Sequence, residues 1–407
     1  MHGCGGDGQP RSQRQGLDIA DIIRMHGEAL RRLYPLTAEQ TAALRDIERC
    51  RTAVLGGHLD VCSHCGFSKP SYNSCRNRHC PKCQSLRQAA WVESRVARTL
   101  PTHHFHSVFT LPAELRPLAK LHPAFVYKQL FDCASATLLE LGRDPKRLGG
   151  QLGITIVLHT WARDLSLHPH VHCIVTGGGL TEDGSQWKSA RRDFLFPIAV
   201  MRTLFKGKLL DAITKANAQG ELNRPDGSPW LGPTELRKLL RKLHRLKWVV
   251  YCKRPFGGPE QVIRYLGRYT HRVAISNNRL VSIDDRGVTF RTRDGSTATL
   301  DPVEFLRRFV AHVLPPRFVK IRHFGLLATG KAKERWQLAA KLLGPAKALS
   351  EVQSSDPEPS TEANDDWQSL LLELTGLDVR RCPQCGLMTM TREPLPDTRA
   401  PPIAEAA

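Results

Sequence analysis

Two tyrosines four positions apart are the first residues in this sequence with the spacing for chemistry. Tyr265 and Tyr269 lie in a segment that we predict to be a short helix over residues 259–270. An i,i+4 spacing places both hydroxyls on one face of that helix. A phenol oxygen can attack phosphorus and form a covalent phosphotyrosine. The alternative is an aromatic ridge among solvated charges. The cations interleaved with the tyrosines, which could stabilise a charged phosphate, are Arg264, Arg268 and Arg272.

A pair of histidines offers two ligands for a metal ion. His170 and His172 lie in a predicted strand over residues 170–176, where residues two apart point to one face. We expect His159 to be the third ligand, because a turn centred near residues 165–166 would place it opposite His172. Its competitors on an earlier predicted strand are His104 and His106.

Together these side chains predict a transesterification on DNA. A divalent cation held by the histidines polarises a phosphate. A tyrosine oxygen then attacks the phosphorus and releases a 3′-hydroxyl. The phosphotyrosine retains the energy of the ester bond, so the reaction needs no nucleotide cofactor. The sequence accordingly contains no Gly-x-x-x-x-Gly-Lys-Ser/Thr loop.

Two Cys-x-x-Cys pairs near the N-terminus predict a zinc site. Cys62 and Cys65 form the first pair, and Cys80 and Cys83 form the second. Four thiolates satisfy a tetrahedral Zn²⁺ with no open position, so the predicted ion is structural. Further candidate ligands nearby are His64, Cys75 and His79. The cations around the site, which we predict to contact phosphates, are Arg76, Arg78 and Lys82.

A third pair lies in the tail, at Cys382 and Cys385. Two thiolates complete only half of a tetrahedral site. This pair therefore requires partners from elsewhere in the chain or from another chain.

The charge distribution points to a polyanion as the partner. The 407 residues carry a net charge of +20, with 59 Lys and Arg against 39 Asp and Glu. Residues 351–407 hold 11 acids and four arginines, which leaves 55 basic and 28 acidic groups, or +27, in residues 1–350. The first residues do not resemble a signal peptide, and no apolar run approaches the roughly 20 residues that span a bilayer. We therefore expect a cytoplasmic protein without a membrane partner.

The elements that would position these residues predict an α+β fold. The order β-α-β-β-α-β favours an antiparallel sheet with helices packed against it. We predict hairpin turns at residues 277–278 and 285–287. Our predicted helices cover residues 17–34, 37 onward, 84–99, 123–141, 197–218, 233–245 and 259–270. Our predicted strands cover residues 104–111, 153–160, 170–176 and 248–252. The predicted division of the chain is a disordered segment (1–16), a helical and zinc-binding domain (17–100), a catalytic domain (101–345), and an acidic linker with the Cys-x-x-Cys tail (346–407).

Three motifs carry a resemblance to a known family. LHPHVHCIVTGGG resembles the His-hydrophobic-His motif of HUH endonucleases. YLGRYTHRVAISNNR resembles the paired-tyrosine motif of rolling-circle transposases of the bacterial insertion sequence ninety-one family, and CRNRHCPKC resembles their N-terminal zinc-binding region. The motifs follow the family's order over roughly residues 20–345.

That resemblance implies a ferredoxin-like nuclease sheet with Mg²⁺ or Mn²⁺ on the histidines. It also implies single-stranded transposon ends and target DNA as partners, and action at the bacterial nucleoid. One tyrosine would cleave the donor strand and the other would handle a second strand.

Two other functions are compatible with parts of the sequence. A plasmid relaxase or replication initiator would use the same chemistry, although the zinc module beside the tyrosines favours a transposase. A zinc-dependent DNA-binding regulator would have no catalysis, and replacing its tyrosines with phenylalanine would leave its function intact.

Overall fold

The structure is a computed structural model. It describes residues 16–254, 261, 263–264, 267, 274–292, 295–328, 332–344, 368–369, 371–372 and 376–395. The helices are α1 (Ile19–Leu33), α2 (Ala38–Arg49), α3 (Ser85–Ala97), α4 (Arg116–Leu121), α5 (Pro123–Arg143), α6 (Ile198–Ala218), α7 (Pro233–Arg245), α8 (Pro302–Val310) and α9 (Ala332–Leu343). The strands are β1 (Gly57–Cys62), β2 (Ser68–Tyr72), β3 (His104–Thr110), β4 (Gln151–Trp161), β5 (Leu167–Leu180), β6 (Trp187–Ser189), β7 (Val250–Lys253), β8 (Leu280–Asp284), β9 (Gly287–Arg291), β10 (Thr297–Leu300), β11 (Ile321–Gly325) and β12 (Met390–Pro394).

The first two helices begin at capping boxes. At the start of α1 the carboxylate of Asp18 accepts a hydrogen bond from the backbone N–H of Ala20, and Asp21 caps in return. At α2 the hydroxyl of Thr37 accepts from the backbone N–H of Gln40, and the side-chain amide oxygen of Gln40 accepts from the backbone N–H of Thr37.

The main sheet is antiparallel and has the strand order β11-β4-β5-β3-β7, with β6 paired to β5. Within it, β3, β4, β5 and β7 are joined in chain order by α5, a hairpin and the α6–α7 region. The spatial order β4-β5-β3-β7 is that of a ferredoxin-like β-α-β-β-α-β unit. The predicted α+β class is therefore confirmed.

The two faces of β5 have different roles. Val171, Cys173 and Val175 belong to the largest hydrophobic core, together with residues of α5 and α6. Because side chains alternate along a strand, His170, His172 and Ile174 point to the opposite face. The helices thus cover one face of the sheet, and the other face carries the histidines.

A second core brings distant parts of the chain together. Side chains of α1 and α2 pack with α8 and with the small sheet β10-β9-β8, around residues such as Phe290 and Phe305. This core therefore contains residues from both sides of the predicted domain boundary at residue 100. A third sheet, in the order β12-β1-β2, joins the tail to the N-terminal region in the same way.

Two predicted local features have different outcomes. The turn at residues 285–287 closes the β8–β9 hairpin, whereas residues 277–279 form a 3₁₀ turn and the hairpin predicted at 277–278 is wrong. The reason is a tertiary contact, because the amide of Asn277 donates to the carboxylate of Asp18 at the start of α1. Of the predicted 259–270 helix, Gln261, Ile263, Arg264 and Gly267 are helical and the rest lies outside the described residues.

No helix within the described ranges is both long enough and apolar enough to cross a bilayer.

Candidate functional site

Three histidines converge on the open face of the main sheet. His159 on β4 and His170 and His172 on β5 each present a ring nitrogen, and these atoms lie within 4.8 Å of one another. The ring centroids of His159 and His172 are 4.3 Å apart. His159 and His172 are buried, and His170 is half-buried. Three imidazoles at this separation fit a divalent metal and leave further coordination positions for a substrate.

The hairpin that brings them together has a different register from the predicted one. His159 pairs with His170, not with His172, and a β-bulge follows between His159 and Trp161. The turn is a three-residue loop in which Leu165 has a φ of 64°. The true register differs from the prediction by two residues. Because a shift of two preserves the face of a strand, His159 still points toward the other two histidines.

Hydrogen bonds orient two of the rings. Nδ1–H of His170 donates to the backbone carbonyl of His168 over 2.7 Å, which leaves the lone pair of its Nε2 available to a metal ion. Nδ1 of His172 lies 2.7 Å from Nε2 of His106 on β3. If His172 binds a metal through Nε2, its Nδ1–H donates to His106. Burial lowers the pKa of His106 to about 4, so this ring is neutral and able to accept.

The two competitors for the third ligand position have other contacts. His106 lies against His172 but outside the three-histidine cluster. His104 is buried, and its Nδ1 donates to the backbone carbonyl of Thr102 over 2.9 Å. The sequence analysis named both residues on β3. It could not predict that His106 contacts the ring of His172, because that contact depends on the β3–β5 register.

The predicted tyrosines lie outside the described residues, as do Arg268 and Arg272. The described residues closest to the tyrosines in sequence are Ile263, Arg264 and Gly267. Ile263 packs against Ile174 of β5 and Val92 of α3. A Cβ at Gly267 would lie 2.1 Å from a methyl of Val92, so the chain approaches α3 closely there. Arg264, predicted to contact DNA, forms a 2.9 Å ion pair with Glu93 on the surface.

The N-terminal cysteines form a different set from the predicted one. Cys50, Cys75, Cys80 and Cys83 have their sulfur atoms within 4.8 Å of one another. Cys80 and Cys83 are therefore brought together as predicted, but Cys62 and Cys65 lie in another cluster. The β1–β2 hairpin carries the first pair away from the second. Cys75 was among the further candidates, whereas Cys50, a single cysteine at the end of α2, gave no spacing signal.

The geometry of this first cluster fits zinc. The sulfur atoms of Cys75 and Cys83 are 3.7 Å apart. Tetrahedral zinc with Zn–S bonds of about 2.3 Å separates its sulfur ligands by about 3.8 Å. A disulfide would require about 2.05 Å. Four thiolates close the coordination sphere, so the site is suited to a structural ion.

The cations around this cluster have separate roles. The guanidinium of Arg78 donates to the backbone carbonyls of Phe318 and Pro315 at 2.5 and 3.0 Å. The ammonium of Lys82 forms a 2.7 Å ion pair with Asp18. These inward contacts do not support the phosphate contacts predicted for Arg78 and Lys82. Arg76 is exposed and can still meet a phosphate.

The second cluster consists of the displaced N-terminal pair and the tail pair, Cys62, Cys65, Cys382 and Cys385. The tail pair thus finds its partners in the same chain.

Comparison with known proteins gives the family. The family model described as "Putative transposase" matches residues 153–335, and the one described as "Transposase zinc-binding domain", of the insertion sequence ninety-one type, matches residues 22–111. The chain is 42% identical to "Putative transposase y4qJ" of Sinorhizobium fredii (strain NBRC 101917 / NGR234), over 91% of this chain and 94% of that protein. It is 30% identical to "Transposase for insertion sequence element IS801" of Pseudomonas savastanoi pv. phaseolicola, over 71% and 72% of the respective chains. The chain belongs to the insertion sequence ninety-one family of transposases.

Proposed function

We propose that this transposase nicks and rejoins single-stranded DNA ends through phosphotyrosine intermediates. Tyr265 and Tyr269 are the nucleophiles, and His159, His170 and His172 hold a catalytic Mg²⁺ or Mn²⁺. The single observation that carries the proposal is the convergence of three imidazole nitrogens on the open face of the sheet. The bound cation would polarise the scissile phosphate and reduce its negative charge.

The location of Ile263, which is close to both tyrosines in sequence, supports this assignment. Ile263 belongs to one buried hydrophobic cluster with Val92 and with Ile174, which lies on the same face of β5 as His170 and His172. Ile263, two residues before Tyr265 in sequence, therefore lies at the histidine-bearing face of the sheet. α3, which connects the zinc-binding region to β3, packs on the same segment through Val92.

The covalent step balances without a further reagent. The phenol oxygen of one tyrosine forms a bond to phosphorus as the phenolic proton is lost. The bond between phosphorus and the 3′ oxygen breaks, and that oxygen leaves with the electron pair and gains a proton. The products are a 5′-phosphotyrosine and a free 3′-hydroxyl. Attack of a 3′-hydroxyl on the phosphotyrosine reverses the step and joins strands. With two tyrosines, one can stay esterified while the other attacks.

The test is covalent capture of an oligonucleotide. The full chain is incubated with a single-stranded transposon end and Mn²⁺, and adducts are separated under denaturing conditions. The wild type should form an adduct and the Tyr265→Phe/Tyr269→Phe double variant none. At least one single variant should keep adduct formation, while each single variant should lose complete transposition.

Tyr251→Phe is the matched control. This tyrosine lies on β7 with its ring 6.3 Å from that of His106, so it is close to the histidines without being a proposed nucleophile. The control should form the adduct at the wild-type rate. An adduct in the double variant, mapped by mass spectrometry to Tyr251, would assign the nucleophile elsewhere. Unchanged transposition by the double variant would instead favour a non-catalytic DNA-binding role.

A further inference from the structure

The second cysteine cluster has the dimensions of a metal site. The sulfur atoms of Cys62 and Cys385 are 3.7 Å apart, and those of Cys65 and Cys382 are 3.6 Å apart. These separations are close to the roughly 3.8 Å between sulfur ligands of tetrahedral zinc. They are too long for a disulfide, in which the two sulfur atoms lie about 2.05 Å apart. The ligand set is four thiolates, which favours Zn²⁺ over harder cations.

The two halves of the cluster have the same backbone turn. In each half the sequence is Cys-x-x-Cys-Gly. The backbone N–H of Cys62 donates to the carbonyl of Phe67, and that of Gly66 donates to the carbonyl of Cys62. In the tail, the backbone N–H of Cys382 donates to the carbonyl of Leu387, and that of Gly386 donates to the carbonyl of Cys382. Gly66 and Gly386 both have positive φ, at 72° and 76°.

Backbone hydrogen bonds to sulfur favour a thiolate in the tail. The backbone N–H groups of Gln384 and Cys385 point at the sulfur of Cys382, at 3.4 and 3.5 Å. Donors directed at a sulfur stabilise its negative charge, which is the form that binds a metal.

The strands next to the cluster hold the two halves in register. β12 pairs with β1 over five residues, from His58↔Pro394 to Cys62↔Met390. The outer strands of this three-stranded sheet are largely exposed. A sheet of this size buries little apolar surface and is marginal on its own. A metal ion would therefore supply most of the free energy that keeps the tail in place.

We propose that each chain binds a second structural Zn²⁺ through Cys62, Cys65, Cys382 and Cys385. This ion fastens the C-terminal tail to the zinc-binding region, independently of the ion at the first cluster. The tail pair lies beyond the residues that either family model matches. The site is built from residues more than 300 positions apart in sequence.

The first test counts metal in the full chain. After zinc is removed, the purified wild type should take up two equivalents of Co²⁺ with thiolate charge-transfer absorption, which distinguishes the cysteine sites from the three-histidine cluster. The Cys382→Ser/Cys385→Ser variant should contain one. The single variant Cys385→His, in which histidine replaces cysteine as a ligand, should bind the second ion that the double serine variant loses. The Cys252→Ser control, a cysteine outside both clusters, should keep two.

The second test measures whether the metal fastens the tail. Hydrogen exchange at Met390–Pro394 should accelerate in Cys62→Ser/Cys65→Ser as much as in the tail variant, because both remove half of one site. Cys75→Ser/Cys83→Ser should lose the other ion and retain protection of β12. One thiolate-bound Co²⁺ in the wild type, two in the tail variant, or no free thiol at these four positions after zinc removal would each overturn the proposal.

Discussion

Nε2 of His106 lies 2.7 Å from Nδ1 of His172, and the two ring planes are within 14° of parallel with their centroids 5.0 Å apart. The pair joins β3 to β5 on the face that carries the three-histidine cluster. His106 therefore orients the ring of His172 from outside the three-histidine cluster, and it would accept the Nδ1–H of His172 when Nε2 of His172 binds a metal.

We expect His106→Ala to weaken metal binding without removing it. Loss of a hydrogen-bond partner behind a metal ligand typically costs roughly 10–100-fold in affinity. Mn²⁺ titration should show this loss, and adduct formation should recover at saturating Mn²⁺. His106→Asn, whose side chain retains a hydrogen-bond acceptor, should recover part of the affinity. A His106→Ala variant that binds Mn²⁺ as tightly as the wild type would show that the ring has only a packing role.

His159→Ala should abolish both Mn²⁺ binding and adduct formation, because it removes one of three ligands. His170→Ala and His172→Ala should do the same while leaving most DNA binding. The matched control is His168→Ala, since Nδ1–H of His170 donates to the backbone carbonyl of His168, which this change retains. Equal loss of metal in His159→Ala and His168→Ala would argue against His159 as a specific ligand.

DNA affinity should fall steeply with salt, because binding to the basic residues of 1–350 releases counterions from phosphates. Arg76→Ala should weaken binding similarly for all sequences and reduce the salt slope by about 1. Arg78→Ala should instead destabilise the fold, since it leaves the carbonyls of Phe318 and Pro315 without their donor. The expected loss is about 1–3 kcal/mol in urea denaturation. A reduced salt slope with unchanged stability in Arg78→Ala would instead show that Arg78 contacts a DNA phosphate.

The stability of the protein should depend on pH through His312. This ring is buried, with Nε2–H donating to the carbonyl of Leu165 and Nδ1 accepting from the hydroxyl of Thr160. Burial lowers the pKa of His312 to about 4. The unfolded chain, with a histidine pKa of about 6.5, therefore binds the extra proton between these values. The contribution of His312 to the free energy of unfolding is fully present above about pH 6.5 and should be lost progressively as pH drops from about 6.5 to 4.

The measurement compares His312→Gln with the wild type. Glutamine has a donor and an acceptor but no proton to gain in this range. The pH dependence of its free energy of unfolding should be shallower than that of the wild type, by up to about 3 kcal/mol across the window. Parallel curves for the two proteins would mean that other groups carry the acid sensitivity.

The sequence by itself determined the local elements and the family. Apolar periodicity and capping residues predicted α1, α2, α5 and α7 to within a few residues, because these signals depend on neighbours within one or two turns. The alternation of His170 and His172 placed both on one face for the same local reason. The three motifs also predicted the family, which the comparisons confirm.

Only the tertiary structure decided which residues meet. The sequence paired Cys62 and Cys65 with Cys80 and Cys83 because they are near in the chain. The fold instead gives each pair other partners, at Cys50 and Cys75 and at Cys382 and Cys385. The partner of His159 depended on a bulge and a three-residue loop, and the role of His106 depended on the β3–β5 register. Spacing in sequence constrains local geometry, whereas contacts between distant segments are set by strand pairing and core packing, which no local pattern encodes.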